Sequence, residues 1–210
     1  MKIIVTIIAN PQIVPLTELL ANELTREFSS GSPQWLAKGI ACELELESDL
    51  NTVRKVAAMS SYRNMVDIIV QPADGRRKKL LLTDMDSTIV KNETLDELAQ
   101  LVGFGTQISS ITDRAMRGEL DFKTALLERV RMLQGISEQA LHDTWAKVEL
   151  MPGARELVAT MRANGAICVL ISGGFKFFTD RLSELLQFDK NFANSLSLKN
   201  GKLTGKINEP

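Results

Sequence analysis

Cysteine is scarce: the 210-residue chain holds two, Cys42 and Cys168, each inside an apolar stretch that reads as a strand. Small buried hydrophobes fit them better than a disulfide or a metal pair. An excess of one charge is missing too. Lys and Arg number 25 against 26 Asp and Glu, a formal net charge of -1, which gives no footprint for nucleic acid and no cationic face for a membrane. Attraction for a charged ligand must therefore come from local geometry. No apolar run approaches the roughly 18–20 residues that a membrane span needs. The opening "MKIIVTIIANPQ" has one lysine and a short apolar run, lacks a small-residue cleavage site and breaks at Asn10-Pro11, so a β-strand is expected rather than a signal peptide. These absences point to a cytoplasmic, reduced, globular protein. Histidine occurs once, and His142, away from every motif, reads as an exposed helix residue.

What is present is a hydrophobic fraction of 44%, enough for a sizeable core in one large or two small domains. The chain divides at "QPADGRRKK", Gln71 to Lys79, where Pro, Asp, Gly and four basic residues interrupt two apolar strands. That run reads as a solvated linker rather than a phosphate contact. Before it, "KIIVTIIA" is a strand and Pro15 to Phe28 an amphipathic helix with Leu16, Leu19, Leu20 and Leu24 on one side. "SSGSPQW" is a loop, "IACELELE" a half-buried strand, Asp49 to Ser60 a short helix with an Asp cap, and "MVDIIVQ" another strand. The expected first domain, 1–74, is a small α+β sheet with helices on one face. After the linker a strand over Lys79 to Thr83 precedes four amphipathic segments, Thr94 to Leu101, Gln107 to Arg117, Phe122 to Leu133 and Glu138 to Val148. They read as an inserted helical cap, approximately 93–148. "MPGARELVATMRANG" restores a surface helix ending at Asn164-Gly165, "AICVLISGG" is a second fully buried strand, and a further helix begins near Phe175. Strand, helix, strand is the building unit of a doubly wound α/β domain, expected here over 75–210 and closed by a hairpin at "KNGKLTGKI".

Two features carry chemistry. In "LLLTDMDSTIVKNET" an apolar strand, expected to be buried on both faces, ends in Asp84 and Asp86, where open parallel sheets gather their ligands. Two residues apart in extended backbone, the acids face the same way while Met85 points into the packing. Such a pair can hold a hard divalent cation, Mg²⁺ being usual beside phosphate, or one acid can attack phosphorus while the other moves the proton. An isolated pair of this kind fits equally a capping Asp beside an exposed neighbour. In "LISGGF" the second strand ends in a hydroxyl and two glycines directly before a helix, which places the Ser172 Oγ and free amides toward an anion, although a glycine turn for chain reversal gives the same pattern.

Taken together, "DMDSTIVKNET", the helical insertion with "LLERV" inside it, "MPGA" and "LISGGF" resemble the phosphoserine phosphatases of the haloacid-dehalogenase (HAD) superfamily, in the bacterial form with an N-terminal regulatory-type domain. The resemblance implies a HAD-like Rossmannoid core with a helical cap, preceded by an ACT/ferredoxin-like domain. It implies Mg²⁺-dependent hydrolysis of O-phospho-L-serine, the last step of serine biosynthesis, through an aspartyl-phosphate. Asp84 would be nucleophile and metal ligand. Asp86 would be general acid/base and give its backbone carbonyl to the metal. Ser172 and the Gly173 amide would hold the phosphate, Glu93 the substrate ammonium and Arg129 its carboxylate, with Met116 and Phe122 as the apolar wall. Glu93 and Arg129 also read as an ordinary first-turn acid and a solvated helix residue. For the first domain the resemblance implies binding of L-serine as an effector, with homodimerisation through its sheet as the rival.

The resemblance also carries a departure. Family members continue past the hairpin into a phosphate-neutralising Lys and a glycine-acid loop whose Asp completes the metal site, whereas this sequence ends at "INEP". The expected parallel sheet is therefore incomplete. A chain of this length would then keep the "LLLTD" strand as an unprotected edge, and would dimerise, aggregate or be completed by another segment. A truncated, inactive relative that binds phosphoserine-like ligands or a partner chain is the alternative reading.

Overall fold

The opening apolar run forms β1, Lys2–Ile8, one of the two inner strands of a four-stranded antiparallel sheet in the computed structural model, which describes residues 1–208. Glu209 and Pro210, the end of the expected 75–210 domain, lie outside the described residues. The chain divides into two units, Met1–Arg77 and Lys78 onward.

In the first unit β1 is followed by α1 (Glu18–Glu27), β2 (Gln34–Ala37), β3 (Ala41–Glu47), α2 (Leu50–Met59) and β4 (Asp67–Pro72), with strand order β2-β3-β1-β4. This βαββαβ order is the ferredoxin-like arrangement. Ile3, Val5 and Ile7 alternate onto one face, where they meet Cys42 and Leu44 of β3, Leu20 and Leu24 of α1 and Val53 of α2. Asp49 caps α2 by accepting from the Thr52 amide at 2.9 Å. Two expectations change. Thr17, accepting from the Leu20 amide, caps α1 so that the helix starts at Glu18. Leu16 is buried ahead of the helix, bridged to Gly39, and Leu19 is 69% exposed. Part of the expected loop is strand β2, because Gln34 and Trp35 pair with Glu43 and Cys42 along the edge of β3.

The second unit runs β5 (Leu80–Thr83), α3 (Thr94–Leu101), α4 (Gly105–Met116), α5 (Phe122–Met132), α6 (Gln139–Trp145), α7 (Ala154–Ala163), β6 (Ile167–Phe175), α8 (Lys176–Leu186), β7 (Lys190–Lys199) and β8 (Lys202–Asn208). Strands β5, β6 and β7 are parallel neighbours, and β8 folds back on β7 through a turn in which Asn200 and Gly201 both have positive φ. Leu81, Cys168 and Leu170 face a core that Val158 of α7 and Phe178 and Leu182 of α8 complete. Crossovers of one hand that advance in one direction put both helices on the same face of the sheet. The other face stays open. Leu82 is 58% and Ile167 54% exposed while Val169 on the same face is buried, so this face is only partly covered, against the expectation of two fully buried strands.

Candidate active site

The carboxyl ends of β5 and β6 open into a cleft of about 190 Å³. Asp84 and Asp86 enter it from the turn after β5, Ser172, Gly173 and Gly174 from the end of β6, and Glu93, Phe122 and Arg129 from the cap. Seven of the eight residues singled out in the sequence thus share one cavity. Met116, the last residue of α4, is 84% exposed and is not part of the lining. The apolar wall comes instead from Leu95 and Leu126 with Phe122. Leu126 was legible, since 122, 126 and 129 fall on one helical stripe. Leu95 carried no separate signal.

The turn at the end of β5 is tightly wound. The amides of Thr88, Ile89 and Val90 all donate to the Met85 carbonyl, and Met85 itself is fully buried. Asp84 remains exposed at the mouth, its Oδ1 accepting from the Met85 amide at 2.7 Å. Asp86 sits deeper. Its Oδ1 accepts from the Thr94 amide at the start of α3 (2.8 Å), and its Oδ2 from the Ser172 hydroxyl (3.4 Å). Burial raises its pKa; the Thr94 contacts oppose that shift, and the nearby charges of Glu93 and Asp84 add to it. A carboxyl in this setting is suited to holding a proton for transfer.

Space is tight at both glycines. A Cβ on Gly174 would lie 3.1 Å from both Asp86 Oδ2 and Ser172 Oγ, and one on Gly173 would lie 2.7 Å from the tip of the Phe122 ring. The Gly174 amide donates to Ser172 Oγ at 2.9 Å, and Asn194 of β7 donates to the carbonyls of Gly173 (2.9 Å) and Gly174 (3.3 Å). Asn194 is buried, and its role in fixing the glycine turn had no signature in sequence.

On the cap side, Asp121 caps α5 through the Thr124 amide (3.0 Å) and so sets the helix that carries Phe122, Leu126 and Arg129. Glu93 accepts from the Ser87 hydroxyl at 2.8 Å. Arg129 is half-buried; burial draws its pKa down, while Asp96 and Glu93 act the other way. Burial likewise raises Asp96, with Arg129 opposing. Asp96, one helical turn beyond Glu93, was not singled out in the sequence although it shares that face of α3. A guanidinium and an acid lining one small cleft can grip a carboxylate and meet an ammonium.

The donors suit a hard cation: the Asp84 carboxylate is exposed, and the Asp86 carboxylate is already engaged, which leaves that residue's backbone carbonyl. Mg²⁺ is commonly held by one or two protein groups with water and substrate phosphate filling its other positions. Among the described residues no group of three or more His, Cys, Asp or Glu gathers to hold a metal. Elsewhere, Cys42 and Cys168 are buried free thiols, and burial pushes Cys42 up to about 11. His142 is exposed on α6, with its ring edge against Phe177. No helix among the described residues is long and apolar enough to cross a membrane.

Residues 81–210 match the model of the haloacid dehalogenase-like hydrolases, and the chain belongs to that family. Within it, the chain is similar to phosphoserine phosphatases. The phosphoserine phosphatase of Archaeoglobus fulgidus is 44% identical over 163 residues, 77% of this chain and 47% of that protein. The phosphoserine phosphatase of Vibrio cholerae is 39% identical over 163 residues, 78% of this chain and 48% of that protein. The chain thus spans about half the length of these curated relatives. Among solved structures, a HAD family hydrolase from Salmonella enterica serovar Typhi covers 100% of this chain and is itself covered to 73%, at 26% identity and a TM-score of 0.77.

Proposed function

We propose that this chain carries the catalytic centre of a Mg²⁺-dependent phosphoserine phosphatase, hydrolysing O-phospho-L-serine to L-serine and phosphate. The observation that carries the reading is the pairing of an exposed Asp84 with a gripped, partly buried Asp86 in a cleft that also holds Glu93 and Arg129. Similarity to phosphoserine phosphatases supports the choice of substrate.

In this mechanism Arg129 binds the substrate carboxylate, Glu93 its ammonium, and Phe122 closes over the glycine turn. The phosphoryl group rests against the Ser172 hydroxyl and the Gly173 amide. A carboxylate oxygen of Asp84 attacks phosphorus, forming an acyl-phosphate as the P–O bond to serine breaks, and protonated Asp86 gives its proton to the departing alkoxide. Asp86, now ionised, takes a proton from water as that water attacks phosphorus, which releases phosphate and restores Asp84. Mg²⁺, held by the Asp84 carboxylate and the Asp86 carbonyl, would neutralise charge on the phosphoryl oxygens. A cytoplasmic setting accords with the two buried free thiols.

A second reading, ligand binding without turnover, is favoured by one observation: among the described residues lining the cleft there is no lysine, and Arg129 is the one cation. Phosphate release from O-phospho-L-serine with Mg²⁺, compared with Asp84→Asn, separates the two. Turnover lost in the variant supports the enzyme, whereas phosphoserine binding without release in the unmodified chain supports the second reading.

A further inference from the structure

The two segments joining cap to core run side by side. The outbound one, 88–93, leaves the catalytic turn for α3; the returning one, 147–151, leads to α7. Val90 and Leu150 form an antiparallel bridge, the Lys91 amide donates to the Glu149 carbonyl (2.9 Å), and the Met151 amide donates to the Ile89 carbonyl (2.9 Å). An exposed ion pair, Lys91 to Glu149, flanks this ladder and contributes little.

Asn92 ties the pieces together. Its Oδ1 accepts from the Glu149 amide at 2.8 Å, and its Nδ2 donates to Glu97 Oε1 of α3 at 3.2 Å and, at the limit of a hydrogen bond, to the Lys147 carbonyl at 3.5 Å. Its own carbonyl accepts from the Ser87 amide at 3.2 Å. The partners fix the orientation of the amide: a backbone N–H can only donate and a carboxylate can only accept. Asparagine and glutamine are the two side chains whose planar carboxamide carries both a donor and an acceptor, and asparagine is the shorter.

We propose that Asn92 is the latch of the cap hinge and a positioning residue for Glu93. It joins the outbound segment, the returning segment and the first turn of α3, so the cap is held to the core at the residue next to the carboxylate that enters the cleft. The link to Glu93 rests on the phosphatase reading; the latch itself does not.

Hydrogen exchange of the full chain, read at the Glu149 and Met151 amides, tests the latch. Asn92→Ala should accelerate exchange there roughly fivefold, the loss of one ordinary hydrogen bond, with the β6 and β7 amides unchanged. Asn92→Asp keeps an acceptor for the Glu149 amide but loses the donor and sets a carboxylate against Glu97, so exchange there should also rise, by less than in Asn92→Ala. Adding Glu97→Gln restores a donor–acceptor pair in reversed sense and should return protection. Unaltered exchange at 149 and 151 in Asn92→Ala, or no recovery in the double variant, overturns the latch. With phosphoserine, Asn92→Ala should raise KM more than it lowers kcat, and an unchanged KM overturns the positioning role. If the unmodified chain releases no phosphate, the phosphatase reading and the positioning role that depends on it fall together, and exchange still decides the latch.

Discussion

Arg129 and Glu93 are ordinary residue types whose meaning comes from where α5 and α3 deliver them. Arg129 is half-buried with Asp96 and Glu93 as its acidic neighbours, so its charge is spent inside the site rather than on solvent. Arg129→Ala should raise KM for phosphoserine by about tenfold or more, the scale of a charge-assisted hydrogen bond, while hydrolysis of p-nitrophenyl phosphate, which has no carboxylate, changes far less. Steady-state kinetics with both substrates would check this. Cys42 makes a contrasting point. Its thiol is fully buried and its pKa stands at about 11, so the native state keeps a proton that the unfolded chain releases above about pH 8.5. Stability should fall as pH rises from there toward 11, and Cys42→Ala should remove that part of the slope in urea melts at pH 8, 9 and 10. At this scale the sequence spoke clearly where a motif joined a strand end, as for Asp84, Asp86 and Ser172. It was silent on Asn92 and Asn194, whose partners lie far along the chain. Met116 misled because its position on α4 turns it to solvent.

The elements were legible where local signals agreed with tertiary packing. The Asp cap of α2 and the Gly165 stop after α7 both act at the positions expected. They failed where a distant partner decides. Strand β2 exists because β3 offers an edge, and α1 starts late because Thr17 captures the Leu20 amide. Asp121 shows how a cap can matter for function. It anchors the first turn of α5 through the Thr124 amide and hydroxyl, and that helix carries Phe122, Leu126 and Arg129 to the cleft. Asp121→Ala should cost about 1 kcal/mol in denaturant unfolding, and Asp121→Asn, which keeps an acceptor, should cost less. Equal losses in the two variants would mean the cap bond is not the cause.

For the whole molecule, the notable feature is the open side of the second sheet. Strand β5 lies at its edge, and Leu80, Leu82, Ile167, Ile171 and Phe192 are exposed on one face, aligned by the register that sets Leu80 beside Ile167 and Ile171 beside Phe192. Unpaired edges and contiguous apolar faces recruit other chains. The 210-residue chain should self-associate in isolation, and Leu82→Lys with Ile167→Glu should shift it toward monomer in size-exclusion chromatography with light scattering. A monomer at all concentrations for the unmodified chain would contradict this. The same strand delivers Asp84, so the central claim lies at its end. The most direct measurement is rapid acid quench of the chain with Mg²⁺ and ³²P-labelled O-phospho-L-serine to count the bound phosphate, and, on a parallel unlabelled sample, reduction with tritiated borohydride, which releases the phosphate and leaves tritium on the reduced residue, followed by peptide mapping. The account predicts an acyl-phosphate on Asp84, reduced there to homoserine and missing in Asp84→Asn. Label on a different residue, or turnover that persists in Asp84→Asn, would contradict it.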